Sequence, residues 1–287
     1  MSQPAVIVVN SHVVTGSVGG RSSVFALERL GFPVWSLTTV SLGWHPGHGR
    51  STRIAPDDAA FAAAAGDLGR APGLAGVGAI LIGYLGSAGQ VAPLADLVRA
   101  LKAANPAARF LYDPDIGDND VLFVPEATAR AARDRLLPLA DIATPNRFEL
   151  AWLTGRTLSS LDDVARAAAA LGPHEVAVTS ASVSGGEIAS LLLAHGAPHV
   201  ARQRAVAGTP KGTGDLFAAI YLAQRLNGVP ATTALARAAS AVGRLAAMAA
   251  AEHVDELPLA AGQDAFRSDG TDVAVTPLEA ARGTRPA

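Results

Sequence analysis

Short apolar, β-branched runs alternate with longer stretches of helical spacing, beginning with Ala5-Val6-Ile7-Val8-Val9 and a helix-like stretch over residues 18–30. Further runs predict strands over residues 34–39, 79–82, 110–112, 142–144, 176–179 and 188–193. Helices are predicted over residues 57–68, 90–104, 126–137, 161–171, 214–226 and 233–251, several of them bounded by Pro or Gly. Strand, helix, strand is the rhythm of an α/β fold with a central, mostly parallel sheet and helices on both faces. Alanine-rich stretches satisfy helical propensity without marking which face is buried, so they blur the boundaries. No internal repeat or strong linker interrupts the pattern. Residues 1–278 read as one domain, and residues 279–287, which lack an apolar pattern, as a frayed tail.

Composition narrows the class. A chain of 287 residues can bury roughly three quarters of its unfolded surface. Lys and Arg number 23 against 25 Asp and Glu, with no long block of one sign. That balance argues against a nucleic-acid footprint or a basic membrane face and favours small-molecule chemistry. With no cysteine, disulfides, thiolate metal sites and cysteine nucleophiles are excluded, which suits a reducing cytoplasm. Apolar runs such as residues 6–9 and 191–194 are far too short to cross a bilayer and no charged leader is visible. A soluble, cytoplasmic protein is expected.

The most informative stretch is Gly208-Thr209-Pro210-Lys211-Gly212-Thr213-Gly214-Asp215-Leu216-Phe217-Ala218-Ala219, which joins a glycine turn, an acid and an apolar helix. Gly212 and Gly214 present no side chain, so the N–H groups around Thr213 can turn toward a phosphate at the positive end of the helix. A carboxylate at Asp215 is expected to stay ionised there. It could accept the proton of an attacking hydroxyl, which makes phosphoryl transfer to an alcohol the leading idea. A glycine-rich turn capped by Asp is the alternative reading of the same residues.

In doubly wound sheets, ligands collect at the carboxyl ends of the strands. Polar residues close the apolar runs here: Ser11 and His12, Tyr84, Asp113, Thr144 to Asn146, and Thr179-Ser180, with Asp215 opening a helix. Any one of them is ordinary turn chemistry. Together on one edge they would form a cleft. Asn146 and Glu149 are three apart and would share a helical face, either addressing one metal–phosphate unit or capping a helix.

Several blocks carry a family resemblance: Val9-Asn10-Ser11-His12-Val13-Val14 with Gly16 and Val18-Gly19, Gly83-Tyr84, Asp113-Pro114 through Gly117-Asp118, and Val124-Pro125-Glu126. Leu137-Pro138-Leu139-Ala140-Asp141-Ile142 follows, then Thr144-Pro145-Asn146 with Glu149, and the Gly212 to Ala219 block completes the series. In this order they resemble the pyridoxal kinases of the ribokinase-like superfamily, over roughly residues 6–257. The resemblance implies ATP-dependent phosphorylation of the 5′-hydroxymethyl group of pyridoxal, pyridoxine or pyridoxamine. It implies Asp215 as the group that accepts or orients the hydroxyl, and ATP contacts at Asp113, Asn146, Glu149, Thr179, Ser180, Gly212, Thr213 and Gly214. For the vitamer it points to Ser11, Val18, His45 and Tyr84. Mg²⁺ is expected near Asp113, Asp118 and Glu149 through oxygen ligands. A K⁺ or Na⁺ site is implied near Asp113, Thr144 and Thr179, and a homodimer as the assembly.

The chain also departs from that family. In Gly43-Trp44-His45-Pro46-Gly47-His48-Gly49, Pro46 stands where a threonine associated with substrate contact is usual, and it brings neither hydroxyl nor N–H. The three glycines make this segment a flap candidate. Asp115 adds an acid where an apolar residue is more usual. No G-x-x-x-x-G-K-[ST] motif exists, so phosphate must be held without a Walker lysine. Lys211 reads as a solvated loop charge, and His12, without an acid partner, as structural. Two alternatives stay open: a related kinase of hydroxymethylpyrimidine or a sugar, and a binding protein that has lost turnover.

Overall fold

The computed structural model describes residues 3–267 and 270–279, so the expected tail lies outside the described residues apart from Glu279. The first half contains β1 (Ala5–Val13), α1 (Gly20–Arg29), β2 (Val34–Leu42), β3 (Arg53–Ile54), α2 (Asp58–Leu68), β4 (Val77–Ile82), α3 (Val91–Ala104) and β5 (Arg109–Tyr112). A small hairpin of β6 (Gly117–Asp118) and β7 (Val121–Leu122) leads to α4 (Glu126–Arg135), β8 (Ile142–Ala143), α5 (Arg147–Thr154) and α6 (Leu161–Leu171). The chain continues through β9 (Glu175–Ser184), β10 (Glu187–Ala194), β11 (Ala197–Arg204), α7 (Thr213–Leu226), α8 (Ala231–Glu252), α9 (Leu259–Gly262) and β12 (Val275–Pro277).

The main sheet runs β12-β11-β10-β9-β8-β5-β4-β1-β2-β3. Strands β2, β1, β4, β5, β8 and β9 are parallel, and the antiparallel strands are confined to the two flanks. Alternation along β1 shows how the core is split: Ile7 and Val9 pack with α2 to α6, whereas Val6 and Val8 pack with α1, α7 and α8. A strand buried on both faces needs apolar residues at every position, which is what residues 6–9 supply. Helix α7 lies between the sheet and its neighbours, and its nine residues from Leu216 to Gln224 are all buried. Small alanines at 218, 219 and 223 allow that approach.

The parallel order sets a switch point between β1 and β4, because β2 lies on one side of β1 and β4 on the other. The carboxyl ends of β1, β4, β5, β8 and β9 therefore emerge along one edge. Elements absent from the sequence reading are β3, the β6–β7 hairpin, α5, β11, α9 and β12. Each is short or lies in a polar, low-contrast stretch. Strand β9 also runs on past Thr179, through an irregularity opposite Ser190, into a hairpin with β10.

At the opposite edge, Glu175 fixes the far end of α7. Its carboxylate accepts from Arg225 Nη2 at 2.6 Å, Arg225 Nε at 2.9 Å and the Tyr221 hydroxyl at 3.0 Å, with Arg109 Nη1 at 3.8 Å. Burial alone would raise the Glu175 pKa, but the Arg225 hydrogen bonds and charge, helped by Tyr221 and Arg109, leave it below its ordinary value of 4.5. The stabilisation is thus complete above 4.5 and is lost as pH falls through the lower, folded-state pKa. Glu175→Ala leaves Arg225 uncompensated and is expected to cost about 3 kcal/mol. Urea unfolding at pH 7 checks this, and the deficit should shrink in acid.

Candidate active site

Strand β1 delivers Asn10 and Ser11 to the edge at a local irregularity, where its register with β2 shifts between Asn10 and His12. Such a bulge re-aims side chains that regular pleating would alternate. Ser11 is buried, and its hydroxyl lies so close to Gly19 that a Cβ there would be 2.3 Å away. Gly19 sits at φ 61°, turns the chain into α1 and donates its N–H to Asp215 Oδ2 at 2.8 Å. Asn10 Nδ2 donates to Asp215 Oδ1 at 2.9 Å. The acid therefore stands beside the edge from which Ser11 emerges.

Asp215 lies in the first turn of α7, and no side chain caps that helix. Gly212 precedes it at φ 85°, and a Cβ at Gly212 would lie 2.1 Å from Ser17 O. Only glycine lets the loop rest on the β1–α1 connection in this conformation. The amide of Lys211 donates to Asp255 O at 2.9 Å, which holds the loop from the other side. Thr213 and Gly214 open the helix with their N–H groups at its positive end.

Asp113 closes β5 and is buried, accepting the Thr144 hydroxyl on Oδ1 at 2.8 Å. Burial pushes its pKa well up, and the charges of Glu149 and Asp215 add to the rise, while the Thr144 bond opposes it. Asp115, at φ 41°, is raised by burial and by Asp215 and Asp113. Asp215 is raised by burial against the Gly19 and Asn10 donors. Burial thus acts against the helix terminus in setting the Asp215 pKa. Among the described residues, none of these three acids has an ion-pair partner.

Asn146 and Glu149 form a complete capping box on α5: Asn146 Oδ1 accepts Glu149 N at 2.9 Å and Glu149 Oε2 accepts Asn146 N at 2.8 Å. Glu149 Oε1 also accepts Ile116 N at 2.8 Å, and Asn146 Nδ2 donates to Gly117 O at 2.8 Å. The capping alternative is thus realised, and it folds the 113–118 loop over the start of α5. Burial pushes the Glu149 pKa up to about 8 against those backbone donors, with Asp115 adding to the rise. Asp118 lies at the exposed hairpin tip, its carboxylate taken up by Asn119 N at 2.8 Å and Asn119 Nδ2 at 3.0 Å.

Thr179 joins the group through its N–H to Pro145 O at 3.0 Å and a bridge to Asn146. Ser180 follows at φ 47°, a left-handed conformation that costs a non-glycine residue energy and marks the irregular part of β9. Val18 is buried beside Gly19. Tyr84 is held by its backbone, donating N–H to Asn10 Oδ1 at 3.1 Å and accepting the Thr39 hydroxyl at 2.8 Å. Burial raises its phenol pKa against the neighbouring Arg53.

The flap candidate lies beside the glycine loop, with Gly47 facing the Lys211 side chain. Pro46 occupies the first position of a short 3₁₀ turn, where a missing N–H costs nothing. His45 Nδ1 accepts Gly47 N at 3.0 Å, and burial, then the Lys211 and His48 charges, lower its pKa. His48 Nε2 lies 2.9 Å from Asp255 Oδ2, so flap and loop share Asp255 as an anchor. Asn10, Gly19 and Asp255 escaped sequence reasoning as site residues. Asn10 and Asp215 are 205 positions apart, and nothing in the spacing joins them. A pocket of about 230 Å³ bordered by Arg29, Gln224, Asn227 and Arg237 lies at the other end of α7 and involves none of the predicted residues.

Known proteins share this architecture. Residues 74–256 match the phosphomethylpyrimidine kinase family. A pyridoxal kinase PdxY of Granulibacter bethesdensis is 36% identical over 274 residues, covering 90% of this chain and 95% of the relative. A pyridoxal kinase PdxY of Leifsonia xyli subsp. xyli is 33% identical over 280 residues, covering 94% and 98%. The structure of pyridoxal kinase from Leishmania donovani in complex with ADP and pyridoxamine superimposes with a TM-score of 0.90 at 27% identity, covering 96% of this chain and all of that one.

Proposed function

The chain belongs to the pyridoxal kinases within the phosphomethylpyrimidine kinase family, and from that premise we propose that it phosphorylates the 5′-hydroxymethyl group of pyridoxal, pyridoxine or pyridoxamine with ATP. The observation that carries the reading is the position of Asp215: an acid at an uncapped, glycine-led helix start, held by Asn10 and Gly19 beside Ser11. The N–H groups of Gly212, Thr213 and Gly214 meet the charge that grows on the transferring phosphoryl oxygens. Asp215 takes the hydroxyl proton, and its raised pKa suits a base better than an ordinary aspartate would. Ser11, Val18, Tyr84 and His45 face the vitamer, while Asn146, Thr179 and Ser180 border the nucleotide. Residues 1–278 act as one kinase domain, and the enzyme works as a cytoplasmic homodimer.

The residues fit Mg²⁺. Asp215 raises the pKa of Asp113, and Asp215 and Asp113 raise that of Asp115, with no cation paired to these acids among the described residues, and Asp113 has Oδ2 outside its bond to Thr144. Among the described residues, no three acidic or histidine side chains gather as a protein-only metal cage. That is the pattern of a hard cation held by one or two carboxylates and by phosphates. Asp113 would hold it in this reading, with Asp118 and Glu149 as the further acids, the Glu149 carboxylate being committed to backbone N–H groups. When bound, Mg²⁺ neutralises charge on the nucleotide phosphates. Asp113, Thr144 and Thr179 supply oxygens for K⁺ or Na⁺.

The family match at residues 74–256 also fits hydroxymethylpyrimidine as the acceptor. A panel of the three B6 vitamers, hydroxymethylpyrimidine and a sugar alcohol with Mg-ATP, with products identified by mass spectrometry, separates the readings. Phosphorylated B6 vitamers are expected. Negligible turnover of all three, with turnover of another alcohol, would reject the substrate class, and binding without any product would favour the non-catalytic alternative.

A further inference from the structure

Asn10 is a polar residue near the end of a strand whose preceding positions, Val6 to Val9, are fully buried and apolar, and it is itself only 2% exposed. An unsatisfied amide there would be costly. Its Oδ1 accepts the N–H of Ser11 at 2.7 Å and of Tyr84 at 3.1 Å, and its Nδ2 donates to Asp215 Oδ1 at 2.9 Å. Both acceptor sites and one donor are therefore used. The opposite amide orientation would set a donor against two N–H groups and an oxygen against a carboxylate, so the network admits only this one. Gly83 makes the room: a Cβ there would lie 2.5 Å from Asn10 Nδ2.

The location gives the contact its meaning. Asn10 and Tyr84 lie just past Val9 and Ile82, the last residues paired between the neighbouring strands β1 and β4 at the switch point, and Ser11 and Tyr84 are the residues assigned above to the vitamer. One side chain thus joins the backbone of the vitamer pocket to the acid on α7. We infer that Asn10 is a positioning residue: with the Gly19 amide it fixes the plane of the Asp215 carboxylate and registers it against Ser11 and Tyr84, where the acceptor alcohol is held. This rests on the reading that Asp215 takes the substrate proton. The titratable groups that face Asp215 are Asp113 and Asp115 from the loop after β5. Helix α1 meets it through Gly19 and Ser23, which carry no charge. Lys211, in its own loop, lies beside His45.

Asn10→Asp keeps an oxygen for the Ser11 and Tyr84 amides but replaces the donor to Asp215 with a second carboxylate, whereas Asn10→Leu removes both functions and adds no charge. In both variants kcat for pyridoxal is expected to fall about 10²-fold. The acid limb of the kcat–pH profile is expected to move to higher pH, because a donor that stabilises the charged form is gone. In Asn10→Asp, the KM values for pyridoxal and ATP should stay within about threefold of wild type. If Asn10 served structure alone, Asn10→Leu would lose Tm and raise KM while keeping the wild-type kcat and pH profile. That outcome overturns the inference. If the wild type phosphorylates no B6 vitamer, the functional reading fails separately. A ¹³C NMR titration of the Asp215 carboxyl, assigned by its loss in Asp215→Asn, then decides: a higher pKa in Asn10→Leu, which adds no charge, supports the inference and an unchanged one overturns it.

Discussion

Asp215→Asn is expected to lower kcat for pyridoxal by about 10²–10⁴-fold while leaving ATP affinity within about threefold of wild type. The substitution keeps the size of the side chain and removes its capacity to take a proton. The Gly212 to Gly214 amides, which meet the phosphates in the proposed reaction, are backbone groups and stay in place. Loss in kcat without loss of nucleotide binding is the signature of an interaction made in the transition state only. Steady-state kinetics with product identification, beside calorimetric titration of an ATP analogue, measures both quantities. The pH dependence supplies a second test. A base must be unprotonated, so wild-type kcat should fall as pH drops through the Asp215 pKa, which burial places above the ordinary 3.8. In the variant, the residual rate should lack that limb. Near-normal turnover would remove Asp215 from the chemistry.

Much of this arrangement is legible in the order of residues. Apolar runs at 6–9, 79–82 and 110–112 mark strands because a parallel strand covered on both faces has no polar side to dilute the signal. The polar residues that end those runs converge for the same topological reason. The parts that stayed hidden are those made by long-range contact. Helix α5 carries a complete capping box at Asn146 and Glu149, yet with eight residues it has too few turns to show a period. Strand β11, with Arg202 and Arg204 near its end, reads as polar loop until it is seen to pair with β10. Asp215 was readable as an acid at a helix start. The direction of its pKa shift was not, because that depends on burial, which only folding supplies. Pro46 is a third case: seen as a lost contact, it is also the residue that begins a 3₁₀ turn.

The glycine loop yields a graded series, and its largest effect is expected at Gly212. Gly212→Ala meets two obstacles at once, a backbone at φ 85° and a Cβ only 2.1 Å from Ser17 O, where the obstructing atom is main chain and cannot swing aside. The left-handed conformation alone costs an alanine roughly 1–2 kcal/mol. The collision is relieved only if the loop lifts from the β1–α1 connection, carrying the amides of Thr213 and Gly214 away from the proposed phosphate position. Loss of aimed oxyanion donors of this kind typically costs about 10²–10³-fold in kcat, and KM for ATP should rise with it. Gly208→Ala shares the positive φ, at 65°, but has nothing within 4 Å of its Cβ, so it isolates the strain. Gly214→Ala has neither obstacle in the protein, so a large kcat or KM effect there would report the close approach of the nucleotide itself. Kinetics with ATP varied, together with Tm, sorts the three. If Gly212→Ala retained wild-type kcat and KM for ATP, the phosphate would have to be held elsewhere than at the start of α7.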